Sequence, residues 1–209
     1  MSADEDSRTE VGALFSSGRL LGANEVPPVD SPGDGAAVVA VSPDGDELQY
    51  FLYARNTERV TQAHIHVGGP DENGSVVLFL FGREDEDGRF VGALDQGVTS
   101  NGLLASGTLS ADDLVGPLAD ADSLDSLLEE MRSGNAYVNV HTAATPGGEI
   151  REQVRPVDTV EVEFEEEVTV TGTSGLLDFE LETELEIEED GESVGGVPDS
   201  GDGSSDDGE

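Results

Sequence analysis

The chain has no cysteine, no lysine and no tryptophan, and only three histidines in 209 residues. Without cysteine there is no disulfide, no thiolate metal site and no cysteine nucleophile, and the redox compartment stays open. Without lysine, all 9 basic residues are arginine, set against 47 Asp and Glu for a net charge of -38. Such a surface repels nucleic acid and anionic membranes, so neither is expected as a partner. No apolar run approaches the roughly 18 residues of a membrane span, and membrane insertion is not expected. Met1 to Glu10 has neither the basic nor the apolar region of a signal peptide. The expected location is extracellular or cell-surface if a leader precedes this sequence, and cytoplasmic otherwise. Also missing are a Gly-x-Ser-x-Gly nucleophile elbow and the spaced carboxylates of an EF-hand loop. Carboxylate pairs are everywhere in this composition and are no sign of glycosidase chemistry. No catalytic residue is assigned.

The acidity has three readings: disorder, a surface for polycations, or adaptation to molar salt. Apolar runs recur from Ala36 to Ile187, which disfavours disorder for most of the chain. The acidic residues are spread over nearly every turn and solvent face. At about 1 M salt the Debye length is roughly 3 Å and their self-repulsion is screened. The charge therefore reads as the solvation strategy of a halophilic, archaeal protein.

Along the chain, residues 1 to 11 read as a flexible arm. Gly22-Ala-Asn-Glu-Val-Pro-Pro-Val29 is a fixed extended segment, because neither proline can donate to a ladder. Ala36 to Val41 and Glu47 to Ala54 flank Ser42-Pro-Asp-Gly-Asp46 as a hairpin. In the second of these strands Leu48, Tyr50, Leu52 and Ala54 share one face, and Gln49, Phe51, Tyr53 and Arg55 the other. A further strand spans about Val60 to Val67 and ends in the turn-rich Gly68 to Gly74. Ser75 to Phe81 is apolar on both faces and reads as a central strand. Phe90 to Leu94 and Gly97 to Leu109 follow as short strands. Leu124, Leu127, Leu128 and Met131 then recur at helical spacing, which predicts one short helix near 123–133, with Ser123 as N-cap and Gly134 as C-terminal stop. Beyond Pro156, two alternating stretches predict an acidic β-hairpin extension over 157–189, a candidate surface for a protein partner or a homo-oligomer. Residues 190–209, rich in Gly, Ser and Asp, read as a disordered acidic tail.

All three histidines lie on strands. His64 and His66 share one face of Ala63-His-Ile-His-Val-Gly68, with Ala63, Ile65 and Val67 on the core side. His141 falls on the face of Tyr137 and Asn139, opposite Val138 and Val140. If the two strands are neighbours, three imidazoles converge on the outer side of the β-layer, a donor set suited to copper or, second, zinc. The bland alternative is three polar residues bonded to neighbours such as Gln62 or Asn139. Glu25 and Glu149 are candidates for an added oxygen ligand or for holding a ring. Arg151 is expected to pair with a buried carboxylate.

Three segments together resemble the CHRD domain, named after chordin. They are Leu21-Gly-Ala-Asn-Glu-Val-Pro-Pro-Val29, Ala63-His-Ile-His-Val-Gly68 with Asn73-Gly74, and Tyr137-Val-Asn-Val-His-Thr142 leading to Pro146-Gly-Gly-Glu-Ile-Arg151. Glu152 departs from the pattern, since the family tends to have Gly there. The resemblance places one domain at 12–156 and leaves 157–189 outside it. It implies an all-β, mainly antiparallel Greek-key β-sandwich. The layout also resembles a reduced copper-zinc superoxide dismutase barrel, in which a His-x-His strand and a distant histidine hold copper; His64, His66 and His141 match those positions. A bridging histidine and a separate zinc site need more than three histidines, so dismutase activity is not expected. The leading function is a non-enzymatic module with a three-histidine metal site; the alternative is a cell-surface structural or interaction domain with no metal.

Overall fold

The computed structural model describes residues 9–164, 168–173 and 176–181. In chain order the elements are β1 (Thr9–Glu10), β2 (Ala13–Leu21), β3 (Asp34–Val41), β4 (Glu47–Val67), β5 (Ser75–Phe81), β6 (Arg83–Glu84), β7 (Phe90–Gly92), β8 (Val98–Ser110), α1 (Asp125–Ser133), β9 (Ala136–Thr142), β10 (Ile150–Gln153), β11 (Arg155–Pro156), β12 (Thr159–Phe164), β13 (Val168–Thr173) and β14 (Leu176–Leu181). The protein is all-β and mainly antiparallel, with one helix, as the sequence implies.

Asp44-Gly45 turns the chain between β3 and β4, whose register runs from Val41↔Leu48 to Asp34↔Arg55. Gly45 takes a φ of 83°, which glycine reaches without steric cost. The sheet order β10-β9-β4-β3-β2 closes on itself, because β10 also pairs with β2 at Arg151↔Leu21. The sandwich expected from the resemblance is thus drawn into a closed five-strand barrel, which leaves no open edge in that layer. Its interior holds Leu20, Val39, Leu48, Leu52, Ile65, Val138, Val140 and Ile150, each 2% exposed or less. The alternation read from 48–55 is borne out. Leu48, Tyr50, Leu52 and Ala54 face this core, while Phe51 and Tyr53 join Leu14, Val38 and Ala40 in a second apolar cluster on the outer side.

Two strands expected on either side of residue 57 are one continuous element, β4. Asn56 and Arg59 take positive φ (52° and 55°), and the register against β8 slips at Ala54/Thr57 and Thr57/Val60. Such irregularities bend a strand without ending it. The bend releases β4 from β3 after Arg55 and delivers it to β9 from Val60 onward. β5 is not central: it pairs with β4 on one side, and on the other has an isolated bridge, Leu78↔Leu114. Its apolar faces are explained by cover from the 111–119 segment, where Val115 N–H donates to the Val77 carbonyl.

The helix begins at Asp125, not Ser123; Ser123 Oγ accepts from the Asp125 N–H (3.3 Å). Leu124, Leu127, Leu128 and Met131 are buried as the spacing predicts, and Gly134 ends the helix at φ 72°. Past Pro156, alternation predicts two long strands, whereas the described residues form three, β12 to β14, in an antiparallel meander with β1 on the β14 edge. In the sequence the run Glu165-Glu166-Glu167 interrupts the alternation between β12 and β13, which pair antiparallel from Phe164↔Val168. The 190–209 tail and residues 1–8 of the arm lie outside the described residues. Among those described, no helix is long and apolar enough to cross a membrane.

Candidate metal centre

A bulge at Val60/Gln62 against β9 sets which residues of β4 face outward. Val60 points into the barrel, and after the slip Ala63 and Ile65 do so, which turns Gln62, His64 and His66 out. On β9, Val138 and Val140 point in, so Tyr137, Asn139 and His141 point out. The ladder pairs Gln62↔His141, His64↔Asn139 and His66↔Tyr137. His64 and His141 are therefore diagonal neighbours on one outer face, close enough for ring contact.

This outer face is buried all the same. His64, His66 and His141 are 3%, 7% and 6% exposed. One ring nitrogen from each lies within 4.8 Å of the other two, and among the described residues no carboxylate joins the group. His64 Nδ1 is 3.1 Å from His141 Nε2. Two nitrogens bound tetrahedrally to one ion at about 2.0–2.1 Å stand roughly 3.3–3.4 Å apart, so a small adjustment suits this pair to a shared ion.

Main-chain carbonyls fix two of the tautomers. His66 Nδ1 donates to the Gly74 carbonyl (3.1 Å) and His141 Nδ1 to the Pro146 carbonyl (3.0 Å). A carbonyl can only accept, so both rings carry hydrogen at Nδ1 and, when neutral, a lone pair at Nε2. His64 Nδ1–H then donates to His141 Nε2. The Nε2 atoms of His64 and His66 are buried with no hydrogen-bond partner. Burial lowers the pKa of all three rings, that of His64 to about 2 and that of His66 to about 4. Neighbouring charge on His141 and His66 depresses His64 further. The rings are neutral at any pH near 7, the form in which imidazole binds metals.

Two loops reach over the face, 68–74 at His66 and 143–149 at His141. Gly74 brings its carbonyl to His66 where its backbone presses against that of Val67; a Cβ there would overlap the Val67 carbonyl. Arg151, 1% exposed, holds this loop by donating to the Gly69 carbonyl (2.7 Å), the Glu72 carbonyl (2.9 Å) and Asn73 Oδ1 (3.3 Å). Asn73 Nδ2 in turn donates to the Val26 carbonyl at 2.7 Å. The expected Arg151–carboxylate pair does not form among the described residues. The guanidinium lies on the Tyr137 ring, 3.5 Å from its centroid, and the His66 ring stacks on Tyr137 at 4.7 Å. An aromatic face and aligned carbonyls can satisfy arginine where no carboxylate is in reach.

Neither candidate carboxylate joins the histidines. Glu149 accepts from Ser31 Oγ (2.7 Å), Thr142 Oγ1 (2.5 Å) and Thr145 Oγ1 (3.1 Å), which pins the 143–148 turn. Glu25 accepts from Asn139 Nδ2 (3.3 Å), and its Oε1 is buried without a partner. Burial raises the Glu25 pKa to about 7, against the opposing pull of Arg151 and Asn139. Glu25 and Arg151 also line a cleft of about 360 Å³ with Asn24, Pro28, Pro70 and Glu152. Glu152 accepts from Asn24 Nδ2 at 2.8 Å, so the departure from the family pattern bonds to the Asn24 segment. Sequence reasoning missed the Tyr137–Arg151 stack and the Glu25–Asn139 contact. Their one sequence signal was the clustering of these residues in the segments that carry the family resemblance.

A β-barrel whose outer face bears two histidines from one strand and one from the next defines the class of this site. The CHRD domain family model matches residues 17–154, two thirds of the chain, and the protein belongs to that family. Among curated proteins none matches the chain.

Proposed function

We propose that this protein is a non-enzymatic CHRD module that binds a metal ion, copper ahead of zinc, through His64, His66 and His141. The observation that supports it is the convergence of three buried, neutral imidazoles within 4.8 Å, with two lone-pair nitrogens left without hydrogen-bond partners. Buried polar atoms are normally satisfied, and an ion would use the lone pair of His66 Nε2. Imidazole suits both metals, and affinity among divalent ions rises to copper and falls at zinc. The carbonyls of Gly74 and Pro146 would do what outer hydrogen bonds do in metal sites, fixing ring orientation and raising basicity. Binding requires the His64–His141 hydrogen bond to open, with the His64 proton moving to Nε2.

That same hydrogen bond favours a second reading, a structural or interaction domain of the cell surface whose histidines hold one another without metal. Metal content by mass spectrometry, after dialysis against copper or zinc in molar salt, separates the two. About one ion per chain in the wild type, lost in His64→Ala/His66→Ala, supports the site. Equal content in both proteins rules it out.

A further inference from the structure

We infer that this site selects the monovalent cuprous ion over divalent copper and zinc. The inference rests on the proposed metal reading and adds the charge of the ion. Every candidate ligand is a neutral ring, so the ligands cancel none of the ion's charge. The three rings are at least nine-tenths buried, and a dication taken from water into such a site has little to replace its hydration.

The surroundings place a buried positive charge beside the site and no carboxylate ligand within it. Tyr137 carries the His66 ring on one face at 4.7 Å, which leaves its other face for the Arg151 guanidinium at 3.5 Å. Arg151 is buried and has no ion pair among the described residues, and its guanidinium lies on the Tyr137 ring that stacks on His66, so its charge is felt at the site. Both oxygens of Glu149 are occupied by hydroxyl groups, so it offers the ion no ligand. Glu25 is bonded to Asn139, and its desolvation favours the protonated form up to about pH 7. At an effective dielectric of about 20, each added charge on an ion roughly 8 Å from the guanidinium lowers affinity on the order of thirtyfold. A d10 cuprous ion also needs no more than the three nitrogens available, whereas zinc on three histidines takes a water as its fourth ligand, which this buried face would have to admit.

The test is a competition titration of the full chain, anaerobically, with cuprous, cupric and zinc ions separately against chelators of known affinity. Molar sodium sulfate is the medium, because chloride complexes cuprous ion. The expected result is cuprous binding at one per chain, at least about thirtyfold tighter than cupric, which at 59 mV per tenfold raises the midpoint potential of the bound couple by about 90 mV over free copper. In Arg151→Gln, with folding checked by circular dichroism, that preference shrinks by about the same factor; the wild-type titration decides the matter if this variant does not fold. Zinc or cupric ion bound as tightly as cuprous ion overturns the inference and leaves the metal reading standing. No stoichiometric binding by any of the three overturns both.

Discussion

A histidine pushed below its usual range by burial makes a fold lose stability in acid, and this chain carries three. Between pH 6.5 and about 4.5 an unfolded chain holds protons on His64 and His66 that the folded one largely lacks, and burial shifts His141 in the same direction. Glu25 works in the opposite sense: its raised pKa, about 7, means the folded state keeps a proton that the unfolded carboxyl has lost. From His64, His66 and Glu25 unfolding takes up about one proton net, so stability falls by roughly 1–1.5 kcal/mol per pH unit as pH drops through this window, and His141 adds in the same sense. Denaturant unfolding at fixed salt from pH 7 to 5 checks it. His64→Ala/His66→Ala is expected to flatten the slope, and an unchanged slope contradicts the assignment of the protons. Glu25→Gln is expected to steepen the dependence between pH 5 and 6.5, since the offsetting proton is gone.

Two short elements, the 68–74 loop and the 143–149 turn, keep the histidine face dry. Gly148 sits at φ 128°, and a Cβ there would lie 2.5 Å from Asn139 Nδ2 and 2.7 Å from Glu25 Oε1. Gly148→Ala is expected to destabilise by at least about 1 kcal/mol from backbone strain alone and to push Asn139 from Glu25; thermal unfolding measures the first effect. Arg151→Ala removes a buried side chain, the donors to the Gly69 and Glu72 carbonyls and one face of the Tyr137 stack. A loss of about 3 kcal/mol or more is expected, with faster amide exchange over Gly69–Gly74 than in the wild type. These elements also show where the sequence stops being legible. Alternation placed His64, His66 and His141 on one side of their strands and Ile65, Val138 and Val140 on the other, because a period of two needs no tertiary knowledge. It could not tell a solvent face from one roofed by loops, which is a long-range fact. The same limit hid the return of β10 to β2 that closes the barrel, and made Arg151 look like half of an ion pair. Asn56 and Arg59 broke the apolar period and read as a gap between strands, whereas their positive φ bends one strand.

For the molecule as a whole, charge dominates. A net charge of -38 on 209 residues opposes the compact state through self-repulsion that salt screens. Among the described residues Asp34 pairs with Arg19 at 3.3 Å and with Arg55 at 2.8 Å. The expected result is a melting temperature that climbs steeply between 0.1 M and 2 M salt, measured by scanning calorimetry. A melting temperature independent of salt contradicts the halophilic reading of the composition. The same charge complicates any metal assay, because 47 carboxylates gather cations without a site.

X-ray absorption at the copper edge of the copper-loaded chain in molar salt avoids that complication, since it reports which atoms surround the metal. The expected spectrum has a shell of three imidazole nitrogens at about 2 Å, with the multiple scattering of ring carbons behind them. A shell of oxygen alone, as scattered carboxylates would give, contradicts a metal centre built from His64, His66 and His141.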